Sequence, residues 1–171
     1  AGKSSLLRAI SRARPKVASY PFTTLQPYVG YVEYEDYVQI AVADIPGLVP
    51  DAHKNRGLGV DFLRHIERCV CLLYVIDLSK PEPWLQLEHL RYELDMYRPG
   101  LADRPCAIVG NKIDLPEAVA NLPAFEAEVK MPVFPVSAMK GMNITALLMH
   151  IRKLYDEHPE ETPPPDEDDE E

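Results

Sequence analysis

Apolar residues follow two patterns along this chain. Two runs of adjacent apolar residues, 69–76 and 106–109, indicate strands that are buried on both faces, and 133–136 indicates a shorter one. Elsewhere apolar residues recur every three or four positions, which is typical of helices with one buried face. These predicted helices span residues 5–13, 59–68, 84–97, 116–129 and 144–155. Strands that alternate with helices predict an α/β fold with a mostly parallel sheet.

The first quarter of the chain is expected to add antiparallel strands. Residues 28–34 and 37–43 are rich in β-forming residues and are separated by Glu35-Asp36, which predicts a hairpin at the edge of the sheet. Residues 14–27 contain three prolines, so we expect a loop there. In such a sheet the functional loops lie at the carboxyl ends of the strands.

Composition sets the class and the number of domains. The chain has 171 residues, 46% hydrophobic and 26% charged, as in one ordinary globular domain. No apolar run reaches the about 18 residues of a membrane span, so we expect a soluble protein. The net charge is −9, but 10 of the 27 carboxylates fall in residues 156–171, which lack Lys and Arg. This segment is predicted to be a disordered acidic tail, and residues 1–155 a nearly neutral domain.

Three cysteines, Cys69, Cys71 and Cys106, lack the paired spacing of a zinc site. All three lie within the apolar runs at 69–76 and 106–109. We interpret all three as core thiols of a protein in a reducing compartment.

Gly2-Lys3-Ser4 opens the first predicted helix and matches the end of the phosphate-loop pattern G-x-x-x-x-G-K-[ST]. A glycine lets the backbone approach an anion, and a helix N-terminus presents unpaired N–H groups to it. Lys3 would add a charge for the β and γ phosphates, and the Ser4 hydroxyl is a hard ligand for Mg²⁺. Ala1 and Ser5 flank these residues and are predicted to contact the nucleotide. Alone, the pattern fits an ordinary helix start equally well.

Asp44-Ile45-Pro46-Gly47 follows the predicted hairpin and has the form D-x-x-G. A carboxylate in this place reaches the water shell of a metal, and the glycine N–H faces a terminal phosphate. Asp44 is therefore predicted on the metal side of the site, and Gly47 as the hinge of a segment that responds to that phosphate. The alternative for such residues after a strand is a plain turn.

Asn111-Lys112-Ile113-Asp114 follows the second buried strand and says most about the ligand. A carboxylate at Asp114 accepts hydrogen bonds from guanine N1–H and the 2-amino group, whereas adenine has an acceptor at N1 and no 2-amino group. The pattern therefore favours guanine. Asn111 is predicted to hold the neighbouring loops, and Lys112 to lie over the base.

Ser137-Ala138 follows the last predicted strand, and its backbone N–H is predicted to meet the guanine 6-oxo group. The four motifs occur in order, each after a strand or at a helix start. With all four present, the sequence resembles the P-loop GTPases over residues 1–155 and predicts their Ras-like fold.

The loops narrow this resemblance to the Obg family of ribosome-assembly GTPases. The residues that carry it lie at 16–25, 44–48, 57–59 and 62–68. The likeness implies that Thr24 coordinates Mg²⁺ together with Ser4 and Asp44. It also implies catalytic roles for Lys3, Thr24 and Gly47. The predicted nucleotide-binding residues are Ala1, Gly2, Lys3, Ser4, Ser5, Phe22, Thr23, Thr24, Leu25, Asp44, Ile45, Pro46, Gly47, Asn111, Lys112, Asp114, Ser137 and Ala138.

The resemblance also implies a function. Within the family the chain looks most like the mitochondrial ribosome-associated branch, which implies Mg²⁺-dependent, slow hydrolysis of GTP to GDP and phosphate. It implies a switch role in large-subunit assembly, contact with that subunit or its rRNA, and a monomer. The implied location is the mitochondrial matrix, with possible association with the inner membrane, whereas another branch would imply the cytoplasm.

Leu48 stands where Ras-like enzymes place a Gln that orients water, and a leucine side chain forms no hydrogen bond. The resemblance implies that groups other than a glutamine support hydrolysis. One of these is often a K⁺ ion, held with help from a phosphate-loop Asn that would stand immediately before Ala1. Two alternatives stay open. One is a nucleotide-sensing ribosome- or RNA-binding module with incidental hydrolysis, and the other is an ATP-using P-loop protein.

The chain opens without Met and inside the phosphate loop. We therefore expect the first strand of the sheet and the first loop glycine upstream of Ala1. Because that strand would be central and its loop rich in phosphate-facing N–H groups, residues 1–171 alone are predicted to be unstable and to bind GTP poorly.

Overall fold

The predicted hairpin is present and has a third strand beside it. The antiparallel sheet is formed by β1 (Lys16–Val17), β2 (Tyr28–Glu33) and β3 (Gln39–Ala43), with β2 in the centre. Gly30 and Val32 of β2 turn inward and are buried. The computed structural model behind this description covers residues 2–18, 26–45 and 69–159.

The strand β1 lies within residues 14–27, which were predicted to be a loop. Lys16 pairs with Val29, and Val17 pairs with Tyr28. Two residues are too short to show a hydrophobic period, and so the sequence pattern gave no sign of this strand.

The buried runs form a parallel sheet. It contains β4 (Leu72–Asp77), β5 (Cys106–Asn111) and β6 (Val133–Pro135), with β5 in the centre. Asp77 lies opposite Asn111 in the register, so the polar ends of two strands meet at one edge. The described strands thus form two three-stranded sheets, one parallel and one antiparallel. The predicted α/β class is confirmed.

Helices cover the sheets close to where the periodicity places them. Within the described residues they are α1 (Lys3–Ile10), α2 (Pro83–Tyr97), α3 (Pro116–Val129) and α4 (Ile144–Glu157), with a 3₁₀ turn at Leu101–Asp103. The helix α1 ends early because Ser11 is extended. The helix α4 runs two residues past the predicted end, and Arg152 and Lys153 there pair with acids four positions later.

Side chains of β4 alternate between two apolar cores, which explains why its sequence is continuously apolar. Tyr74 and Ile76 face a core with α2 and α3, in which Phe125 is fully buried. Val75 faces a second core with α1 and α4. The helix residues that fill the second core are Leu6, Ile10, Leu147 and Ile151.

The predicted helix at 59–68 and residues 160–171 of the predicted tail lie outside the described residues. The sequence predicts disorder of the tail from residue 156, but Asp156 and Glu157 lie in the last turn of α4. Within the described ranges, no helix combines the length and the apolar content needed to cross a bilayer.

The hairpin contacts α4 through Tyr34 and through a bidentate ion pair between Asp36 and Arg152, at 2.8 and 2.7 Å. The Tyr34 hydroxyl donates to the Leu148 carbonyl at 2.6 Å, and the Arg152 guanidinium lies 5.2 Å from the centre of the Tyr34 ring.

Tyr34→Phe should lower the free energy of unfolding by about 1 kcal/mol, because it removes one hydrogen bond and keeps the ring. Urea denaturation measures this. The matched control is Tyr37→Phe, since Tyr37 is 95% exposed, and equal urea midpoints for both variants would contradict the expectation.

Candidate functional site

The phosphate-loop residues meet the base-reading motif directly. Gly2 caps α1 with φ 84°, in the left-handed region that favours glycine. A Cβ built at this position would lie 2.5 Å from Nδ2 of Asn111. The contact between Gly2 and Asn111 therefore leaves no space for a side chain at residue 2.

Lys3 connects the start of α1 to the D-x-x-G motif. Its Nζ donates to the carbonyl oxygen of Ile45 at 2.8 Å. Burial lowers the pKa of Lys3, and the nearby Asp44 carboxylate partly opposes this shift. Lys3 thus lies beside the first two residues of that motif.

Asp44 is fixed at the end of β3 by hydrogen bonds to the start of β2. Its Oδ1 accepts from the Tyr28 N–H at 2.7 Å, and its own N–H donates to the Tyr28 carbonyl at 3.1 Å. The backbone position of Asp44 is therefore set by the hairpin.

Asn111 lies between three predicted motifs. It is 3% exposed, and its Oδ1 accepts a hydrogen bond from the Ala138 N–H at 3.1 Å, while its Nδ2 faces Gly2. The structure thus brings the phosphate loop, the Asn-Lys-Ile-Asp segment and Ser137-Ala138 together.

One predicted donor is already engaged inside the protein. The Ala138 N–H, predicted to face the guanine 6-oxo group, donates to Asn111, and the Ser137 N–H donates to the Met142 carbonyl at 3.2 Å. The first bond joins residues 27 positions apart, and the second joins two residues of one loop. Neither could be predicted from a local sequence pattern. To bind here, the guanine 6-oxo group would have to accept from the Ala138 or Ser137 N–H in addition to its present partner.

Asp114 has one carboxylate oxygen held and one available. The Ser137 hydroxyl donates to Oδ1 at 2.8 Å, and Ser137 is fully buried. No other described residue donates to Asp114. Such a carboxylate suits the paired N–H donors of a guanine edge.

Lys112 forms an ion pair with Asp77, a residue that the sequence analysis did not place in the site. The predicted place of Lys112 over the base stays a prediction. Its Nζ lies 2.8 Å from Oδ2 of Asp77, and its backbone has φ 74°. Burial alone would raise the pKa of Asp77, but the hydrogen bonds from Lys112 and Ser79 outweigh it and lower that pKa. The available signal was the position of Asp77, directly after the apolar run of β4.

The other predicted residues are only partly described. Ser4 and Ser5 lie in the first turn of α1, with Ser4 exposed. The remaining predicted site residues fall outside the described residues, and these are Ala1, Phe22, Thr23, Thr24, Leu25, Pro46 and Gly47.

A magnesium ion fits the donor set only together with a nucleotide. No group of three or more His, Cys, Asp or Glu side chains within residues 2–18, 26–45 and 69–159 is arranged to hold a metal. Mg²⁺ is usually held by one or two protein oxygens plus phosphates, rather than by a protein cage. The Ser4 hydroxyl and the Asp44 carboxylate supply such oxygens.

A family model described as 50S ribosome-binding GTPase matches residues 1–112. The chain belongs to this GTPase family. The match covers the phosphate-loop residues, the D-x-x-G motif and the sequence as far as Lys112.

Relatives of this chain share much of its sequence. The chain is 62% identical over 160 residues to mitochondrial ribosome-associated GTPase 2 of Homo sapiens, which covers 94% of this chain and 39% of the human protein. It is 48% identical over 158 residues to the GTPase Obg of Akkermansia muciniphila, covering 90% of this chain and 45% of that protein. The chain thus spans less than half the length of these relatives, and it resembles Obg-type GTPases as predicted.

A solved structure agrees on the fold. The G domain of the T. maritima FeoB iron transporter matches with a TM-score of 0.64 and 23% identity, over 90% of this chain and 91% of that domain. At this identity the likeness concerns the fold alone, and it confirms a GTPase-type α/β arrangement.

Proposed function

We propose that the chain is the guanine-nucleotide domain of a GTPase that hydrolyses GTP to GDP and phosphate. The observation that carries this proposal is the position of Asn111, which contacts Gly2 on one side and binds the Ala138 N–H on the other. A single buried side chain thereby joins the phosphate-binding and base-reading segments. The domain extends to the end of α4 at Glu157, two residues past the predicted boundary, and an acidic tail follows it.

Each described motif residue has a role in this proposal. The N–H groups at the start of α1 and the Lys3 ammonium bind the phosphates. The Lys3 ammonium, which donates to the Ile45 carbonyl, lies beside the D-x-x-G motif. Mg²⁺, held by Ser4, Thr24 and Asp44, would neutralise charge on the β and γ phosphates. Asp114, fixed by Ser137, reads guanine.

The loop residues complete the proposed site. Thr24 and Gly47 respond to the terminal phosphate. Phe22, Thr23 and Leu25 line the nucleotide. Leu48 forms no hydrogen bond, so we propose that hydrolysis is slow and that K⁺ adds positive charge at the phosphates.

The relatives' names support a cellular location and a partner for this activity. One relative is called mitochondrial ribosome-associated GTPase 2, and a relative in Oryza sativa, 48% identical, is called a probable mitochondrial GTP-binding protein. We accordingly propose a monomeric switch of the mitochondrial matrix that acts in assembly of the large ribosomal subunit and contacts that subunit or its rRNA. Association with the inner membrane stays a prediction of the resemblance.

Turnover and binding measurements on the full-length protein test this proposal. We expect GTP to bind in the presence of Mg²⁺ and to outcompete excess ATP, because adenine leaves the Asp114 carboxylate unpaired. Hydrolysis should be slow alone and faster with large ribosomal subunits and in K⁺ rather than Na⁺ buffer. Binding without stimulation by either would favour the nucleotide-sensing module, and equal competition by ATP would overturn the guanine assignment.

A further inference from the structure

Asp77 has every oxygen of its carboxylate engaged beside the proposed base site. It is 5% exposed. Its Oδ1 accepts from both the N–H and the hydroxyl of Ser79, at 2.9 and 2.5 Å, and its Oδ2 accepts from Lys112 Nζ at 2.8 Å. A buried charge with this full set of donors is held in one orientation.

The backbone of Asp77 is equally fixed. Its N–H donates to Oε1 of Gln86 at 3.0 Å, and Nε2 of Gln86 donates back to its carbonyl at 2.8 Å. In the sheet it lies directly opposite Asn111. The backbone and the carboxylate of Asp77 are therefore both fixed, at the edge of the parallel sheet where the Asn-Lys-Ile-Asp segment begins.

The Lys112 side chain depends on a fixed partner for its orientation. The residue stands between Asn111 and Asp114 with φ 74°, a backbone conformation that residues other than glycine rarely adopt. Its side chain is 37% exposed, and its ammonium is long, flexible and strongly hydrated. Without a partner that side chain would sample many rotamers.

We propose that Asp77 is a positioning residue for guanine-nucleotide binding, acting by holding the Lys112 side chain in the place where it meets the base. This inference rests on the proposed function and adds a residue to it. Asp77 does not touch the base, so its removal should weaken binding without changing which base is preferred. The base preference remains with Asp114.

A double-mutant cycle on the full-length protein tests this role, with a fluorescent GDP analogue as the probe. Asp77→Asn keeps the shape and the acceptor for Ser79 but removes the charge, and it should weaken GDP binding about tenfold, as expected for a lost charge-assisted bond. Lys112→Met keeps the aliphatic stem and should weaken binding at least as much. Because Asp77 acts through Lys112, adding Asp77→Asn to Lys112→Met should cause no further loss.

Ser79→Ala is the matched control. It removes the hydroxyl bond to Oδ1 and leaves the ion pair, so GDP affinity should change less than about twofold. If Asp77→Asn does not fold, Asp77→Glu, which keeps the charge and shifts it by one methylene, takes its place in the same cycle and should weaken binding only when Lys112 is present.

The outcomes separate this inference from the proposed function. Wild-type affinity in Asp77→Asn, or an equal loss on adding it to Lys112→Met, would overturn the positioning role alone. A wild-type protein that fails to bind GDP would overturn the proposed function and this inference together.

Discussion

Replacing Asp114 by asparagine is expected to turn a guanine-binding protein into one that prefers xanthine nucleotides. Guanine offers two donors, N1–H and the 2-amino group, to the carboxylate. The asparagine amide offers one acceptor and one donor, and the donor meets the 2-amino group unfavourably but suits the 2-oxo group of xanthine. We expect GDP affinity to fall by roughly 100-fold or more, since a buried polar group is left unpaired. XDP should then bind more tightly than GDP.

Competition of GDP and XDP for a fluorescent nucleotide measures this switch. Ser137→Ala is the control, because it removes the hydroxyl that donates to Oδ1 of Asp114 at 2.8 Å and keeps the carboxylate. That variant should bind GDP several-fold more weakly, as about 1 kcal/mol implies, and still prefer guanine. An Asp114→Asn protein with unchanged preference would show that residue 114 does not read the base.

The sequence predicted the elements of the fold because its patterns are local. Continuous apolar runs marked β4 and β5, and β4 alternates between two cores as such a run requires. The motif residues were found for the same reason, since each follows a strand or opens a helix. The strand β1 was missed because two residues carry no period.

Contacts between distant segments were beyond sequence reasoning. The bond from Ala138 to Asn111 joins residues 27 positions apart, and that from Lys112 to Asp77 joins residues 35 apart. Neither distance follows from periodicity, because each depends on strand register. Asp77 became visible as a partner only when β4 and β5 placed it opposite Asn111.

Gly2 is expected to be as sensitive as Asp114, for a steric reason. In Gly2→Ala the new Cβ would meet Nδ2 of Asn111 at 2.5 Å, which is shorter than any tolerated contact. Asn111 is buried and holds the Ala138 N–H, so it cannot turn aside without breaking that bond. We expect GDP affinity to fall by about 100-fold, or roughly 2.7 kcal/mol, because both the phosphate end and the base end of the site shift.

The matched control separates this clash from backbone strain. Gly100 has φ 87°, close to the 84° of Gly2, but a Cβ there would meet nothing within 4 Å. Gly100→Ala should therefore lower the free energy of unfolding by about 1–2 kcal/mol, through strain alone, with GDP affinity unchanged. Gly2→Ala should carry the same strain and lose binding as well. If titrations with the fluorescent GDP analogue showed equal affinities for the two variants, the contact between residues 2 and 111 would have no part in nucleotide binding.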